Sequence, residues 1–342
     1  MDIIKNIKVP TGNILIVKGE KGKLECLSLG DYGKDVNIKA DFMGIDREIS
    51  KVEHTKMLPL TEKWVITISP QYGCGMNCRF CDVPKVGEGI NATYHDMLNQ
   101  ITKSLSIHPE IRTTKRLNIH YARMGEPTFN NQVLRLTYGL HDLLEPYIDN
   151  SLIHPVLSTM LPKQNKKLTT YLEEWVYIKN NKYNGEAGLQ FSINSTNDHE
   201  RDYMFNGNSL SLNDISDISK KLEMPKGRKY TLNFAVADYE IDGNKLANLF
   251  DPNKFIVKLT PMHKTTMATQ NDIKTIGNYT EYHPYKNAEI SCKKAGFDVL
   301  VFIASEYEDL GRITCGNAIL SGTLPDCFYV MVENNTKKGL PK

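Results

Sequence analysis

From Trp64 onward, short apolar runs alternate with longer amphipathic stretches, the mark of repeated βα units. The apolar runs predict strands over 64–69, 117–121, 154–158, 188–194, 230–237 and 255–259, with a last one over 299–304. Between them, helical periodicity predicts helices over 95–105, 132–144, 164–178, 212–222, 243–249 and 285–295. About six such units imply an α/β fold, a partial (βα)6 barrel whose active face is built from strand C-terminal ends and βα loops. Residues 1–62 lack long helical periodicity and read as a small β-rich N-terminal extension. Two strands are expected there, over 12–17 and 24–29, joined by a turn at 18–22. The division is thus 1–62 extension, 63–322 barrel core and 323–342 tail, the last Asn/Lys-rich and expected to fray.

Composition narrows the class. With 342 residues, 40% hydrophobic and 24% charged, the chain reads as soluble and globular. No apolar run approaches the roughly 18 residues of a membrane span. The start, Met1-Asp2-Ile3-Ile4-Lys5, lacks the apolar core of a secretory signal. Seven cysteines without a short disulfide framework argue for a reducing, cytoplasmic setting. A net charge of +2 supplies little long-range steering, so a polyanionic partner would need a local basic face.

The chemistry concentrates in Tyr72-Gly73-Cys74-Gly75-Met76-Asn77-Cys78-Arg79-Phe80-Cys81. Cys74, Cys78 and Cys81 offer three thiolates on one loop, one short of the set that closes a [4Fe–4S] cluster, which leaves one iron open for a substrate or cofactor. A structural zinc site would want a second ligand pair, and none follows. The spacing, with aromatic Phe80 before the last cysteine, resembles the signature of the radical S-adenosylmethionine (SAM) superfamily. That resemblance implies that the open iron chelates SAM and that one electron cleaves it to a 5′-deoxyadenosyl radical. It also implies an external electron donor such as flavodoxin or ferredoxin.

Further candidates fall at the ends of predicted strands. Met124-Gly125-Glu126-Pro127 follows the second barrel strand. A glycine there permits close backbone approach, and a carboxylate balances an ammonium such as that of SAM. Ser158 ends the third strand, Ser192 and Asn194 end the fourth, and His263 follows the sixth. Their hydroxyl, amide and imidazole groups would face the mouth where SAM should lie, unless they bond only to nearby loop backbone. Cys315 follows the last strand in a flexible turn, a setting in which a thiol can become a nucleophilic thiolate and not an inert core residue.

Together these pieces resemble the RlmN/Cfr family of radical SAM methyltransferases, over residues 12–316 and in family order. Gln71-Tyr72-Gly73-Cys74, Met124–Pro127, Leu157-Ser158-Thr159, Phe191-Ser192-Ile193-Asn194 and Cys315-Gly316 carry the match. The resemblance implies methylation of adenine in ribosomal or transfer RNA. Cys315 would take a methyl from one SAM, the radical from a second would abstract its hydrogen, and the carbon would add to the ring. It also implies that Glu25, in Leu24-Glu25-Cys26, contacts the target base. Three departures stand out. Thr67 occupies the place of the family's second redox cysteine, His263 stands where Asn is usual, and the helical accessory domain has no counterpart before the first strand. Among the thiols Cys26, next to Glu25, is the preferred replacement for resolving the adduct, with Cys292 and Cys327 less suited, while a strand-core role for Cys26 is the alternative that its place in an apolar run favours.

Two competing readings remain open on sequence. One is a radical SAM enzyme of the same fold acting on a nucleotide, small metabolite or peptide. The other is a non-catalytic Fe–S electron carrier or RNA-binding module, against which Gly125-Glu126-Pro127 argues, because a carrier needs no SAM clamp.

Overall fold

The computed structural model describes residues 2–31, 38–46, 58–149, 152–276, 281–304 and 306–325; the rest of the predicted tail, with Cys327, lies outside them. The chain opens with an antiparallel meander, β1 (Ile3–Val9), β2 (Gly12–Gly19) and β3 (Gly22–Leu29). The sequence pattern misses β1 because its first half is largely exposed. After the two-residue β4 (Ile38–Lys39) comes β5 (Trp64–Ile68), which pairs antiparallel with β3 and parallel with β8 (Leu117–Tyr121). The parallel run continues through β9 (Ile153–Thr159), β10 (Gly188–Ser192), β11 (Tyr230–Val236), β12 (Phe255–Pro261) and β13 (Asp298–Phe302). All these strands form one 11-stranded sheet, with β4 on the far edge of β13. The small hairpin β6 (Gln71–Gly73) and β7 (Glu88–Asn91) stands apart as its own sheet.

The side-chain alternation explains the curvature. In β5, Trp64, Ile66 and Ile68 are buried while Val65 and Thr67 are half-buried, and β12 repeats the pattern over its first residues. One face packs under helices; the other lines a lumen, as inward residues of a barrel do. Val65, Gln190 and Phe302, from the first, fourth and seventh parallel strands, border the same cavity, so the sheet curls into a partial barrel.

Helices cover the outer face. The first, α1 (Tyr94–Ser106), starts with a capping box in which the Thr93 side chain accepts from Asp96 N and the Asp96 side chain accepts from Thr93 N. Its Met97, Ile101 and Leu105 join the core. The helix predicted over 132–144 breaks at Gly139 into α2 (Gln132–Tyr138) and α3 (Leu140–Leu144). The next, α4 (Leu168–Lys182), starts later than its periodicity predicts, because a loop precedes it. Outer helices α5 (Asp198–Met204), α6 (Leu212–Lys221) and α7 (Gly243–Leu249) follow; α8 (Thr266–Gln270) tops β12, and α9 (Lys286–Lys294) precedes β13. Among the described residues no helix is long and apolar enough to cross a membrane.

Candidate active site

The three-cysteine loop sits on the C-terminal face of the barrel, held by backbone that few residues other than glycine could supply. Gly73 has φ 73°, and a Cβ there would come within 2.2 Å of the Gly87 carbonyl oxygen. A Cβ on Gly75 would approach Glu88 O to 2.7 Å. Burial pushes the Cys74 thiol up to about 11, while backbone N–H groups of Met76 and Gly125 favour its thiolate. The Cys78 and Cys81 thiols are raised further, first by burial and then by the neighbouring cysteines. Three half-buried thiols gathered on one loop give up their protons readily only to a bound cationic centre. Among the described residues, no three or more His, Cys, Asp or Glu side chains close on a single ion. A four-iron cube asks less, since each thiolate meets a different corner. The donor set therefore fits an iron–sulfur cluster.

The Gly-Glu-Pro loop abuts it. Gly125 takes φ 98°, and a Cβ there would lie 2.4 Å from the Gln71 Cβ. Gln71 stitches the two loops: its Oε1 accepts from Glu126 N at 2.8 Å, and its Nε2 donates to Gly89 O and Asn91 Oδ1, both at 2.8 Å. The buried Glu126 carboxylate accepts from Thr128 N at 3.1 Å, Thr128 Oγ1 at 2.7 Å and Met160 N at 3.0 Å. Burial raises its pKa, against the pull of those donors. The Thr159 hydroxyl is a further donor, so an ammonium would meet this carboxylate as its counter-charge and not at a spare acceptor site. That fits a SAM amino group. Pro127 opens the 3-10 turn Pro127–Phe129 that Glu126 caps.

The strand-end residues divide. Ser158 and Ser192 lie half-buried at the ends of β9 and β10. Asn194 is locked into a turn: left-handed at φ 62°, it accepts at Oδ1 from Ala235 N at 3.0 Å. His263 borders the lumen with Nδ1 2.9 Å from Asp309 Oδ1. The Phe80 ring packs edge-on against Phe205, centroids 5.7 Å apart, and its carbonyl accepts from Thr265 Oγ1 at 2.7 Å.

Cys315 reaches the same mouth. Its loop is tied to the cysteine loop by Asp82 N donating to Gly316 O at 2.8 Å. Asp82 itself is buried and accepts from Thr266 N at 2.9 Å and Met267 N at 3.0 Å, capping α8. The thiol is open to the lumen yet deep within the fold. Burial raises its pKa, and the Arg123 and Lys258 cations with the Gly316 N–H pull the other way.

Two expectations are corrected here. Glu25 does not face a substrate: it is fully buried, paired with Arg123, and accepts from Ile319 N at 3.2 Å and Leu320 N at 3.1 Å. Arg123 in turn donates to Arg312 O at 2.7 Å and Thr314 O at 3.5 Å, so the pair grips both sides of the Cys315 loop. Cys26, one residue on, points to the opposite face, as strand alternation requires. It is fully buried against α1, its Sγ 3.6 Å from Ser104 Oγ and 3.8 Å from Gln100 O, and burial pushes its thiol up to about 12. It is a core residue, not a partner of Cys315. Arg123 and Asp82 are positioning residues that the sequence reading does not single out, their one signal being adjacency to the motifs; Gln71 enters that reading only as part of the cysteine motif.

No protein-family model matches the chain. A solved radical SAM methyltransferase from Sphaerobacter thermophilus superposes with TM-score 0.59 at 16% identity, covering 92% of this chain and 80% of that one. The fold is thus that of a radical SAM methyltransferase, and the cysteine loop resembles the signature of that superfamily. Curated sequences narrow the class. The chain is 28% identical over 206 residues to a probable dual-specificity RNA methyltransferase RlmN of Pseudothermotoga lettingae, covering 58% of this chain and 54% of that protein. It is 35% identical over 80 residues to the dual-specificity RNA methyltransferase RlmN of Aliarcobacter butzleri, 23% of this chain and 22% of that protein. In sequence the chain is therefore similar to RlmN methyltransferases over part of its length. The match spans at most about half the length of these two relatives.

Proposed function

We propose that this protein is a radical SAM methyltransferase that carries a one-carbon unit from SAM through Cys315 to a nucleobase, adenine in RNA by analogy with its relatives. The observation that supports this most is the tether between Gly316 and Asp82, which sets a lumen-facing thiol beside the cysteine loop. Cys74, Cys78 and Cys81 would hold the cluster, and Glu126, with Ser158 and Ser192 nearby, would hold SAM. A bound cluster would supply the single electron that opens a SAM molecule to a carbon radical. Cys315 supplies the acceptor sulfur: its thiolate forms an S–C bond to the SAM methyl as the sulfonium–methyl bond breaks, the electron pair leaving with S-adenosylhomocysteine. Arg123 and Lys258 favour that thiolate against its burial. A thiol relay suits the target, since an aromatic carbon is a poor nucleophile towards SAM. Unpaired RNA bases can be splayed into such a pocket. The test is anaerobic incubation of reduced protein with methyl-labelled SAM and bulk RNA. Label should enter adenine with wild type and not with Cys315→Ala; equal labelling by both would refute the relay.

A further inference from the structure

Beneath Cys315 the barrel encloses a cavity of about 730 Å³ whose charges do not balance. Lys63, Arg116 and Arg228 stand at the N-terminal ends of β5, β8 and β11, Lys258 projects from the middle of β12, and His120 of β8 lines the same space. Lys63 is neutralised by Asp31, and neighbouring Lys229 by Asp298 at 2.8 Å. Arg116, Arg228 and Lys258 form no ion pair with a carboxylate among the described residues. Arg116 donates only to Asn118 Oδ1 at 2.9 Å, and Arg228 to the Glu186 backbone oxygen at 3.4 Å. The remaining carboxylates, Glu186 and Glu308, offset these charges only in part and from a distance. Glu186 leans towards His154, 3.8 Å from its Nδ1, and burial pushes the Glu308 carboxyl up to about 7. The Nε2 of His120 is buried without a hydrogen-bond partner.

Cations held in a low-dielectric lumen cost free energy unless a counter-charge meets them. Two guanidiniums and an ammonium converging on one space are the groups that bind phosphate oxygens, the guanidiniums as bidentate forks. The volume lies within the roughly 300–1,000 Å³ of small-ligand sites. Folded RNA cannot enter it, whereas one nucleotide can. We infer that the lumen binds the phosphate of the substrate nucleotide, free or at the end of a strand, with its base directed up towards Cys315. This rests on the reading of Cys315 given above.

Calorimetric titration of the cluster-loaded protein, saturated with SAM to block the adenine site of the cofactor, tests it. The probes are tripolyphosphate, ATP, adenosine and a short single-stranded oligoadenylate with a 5′-phosphate. Tripolyphosphate should bind once per chain, and ATP at least tenfold more tightly than adenosine. Lys258→Met and Arg228→Met should each weaken tripolyphosphate tenfold or more without lowering the melting temperature, since neither residue has a carboxylate to lose. A preference for ATP identifies a free nucleotide, and one for the oligonucleotide a strand end. No binding of any phosphate probe, or binding unaltered by both variants, overturns the inference. Mass analysis of Cys315 in the wild type separates the two readings: a methylated thiol without phosphate binding sinks only this inference, and phosphate binding without a methyl mark sinks only the relay.

Discussion

Individual residues decide what the site can do. Glu126 is a buried carboxylate fixed by its loop donors and able to balance an ammonium, so Glu126→Ala should cost about 1.5–3 kcal/mol of SAM affinity, the worth of a charge-assisted hydrogen bond. At limiting SAM, 5′-deoxyadenosine formation should fall accordingly; unchanged turnover would remove Glu126 from the cofactor site. Cys26 has the opposite status. Its burial against Ser104 predicts that Cys26→Ala releases methylated product as the wild type does; a stable protein–RNA crosslink in the variant would show that Cys26 resolves the adduct after all. The cysteine triad was legible in the sequence because its spacing on one loop is itself the chemistry. The surroundings of Glu25 and Cys26 were not legible for one reason. Sequence shows that adjacent strand residues face opposite sides, but not which side is the lumen, nor that Arg123 will claim the carboxylate.

At the level of elements, the parallel strands were legible because each is a short apolar run set between longer amphipathic stretches, as in Trp64 to Ile68. The β6–β7 hairpin was not: its strands are short and its pairing depends on Gly73 and Gly87 meeting across a bulge. The Cys315 loop is likewise set by a long-range contact, the buried Arg123–Glu25 pair. Arg123→Met leaves Glu25 charged and unpaired, which should destabilise the fold by about 3–5 kcal/mol. Because Arg123 acts on Cys315 through loop position, the variant should also methylate Cys315 more slowly while uncoupled SAM cleavage persists. Equal loss of both activities would mean general unfolding and no positioning role.

For the whole molecule, the lumen sets the pH response. Burial pulls Lys258 down to about 8. Between about 8 and 10.5 the unfolded chain keeps a proton that the folded chain has released, so this lysine makes stability rise with pH across that window. Lys258→Met should flatten the rise in denaturant unfolding followed from pH 8 to 10.5; an unaltered slope would place Lys258 in water. All of this serves one central claim, that Cys315 relays the carbon. The most direct test is peptide mass spectrometry of the protein expressed and purified without oxygen. The account predicts that the peptide bearing Cys315 is heavier by one CH₂ group, with the extra mass on its sulfur and absent from Cys26 and Cys292. An unmodified Cys315 thiol in cluster-loaded protein supplied with SAM would contradict it.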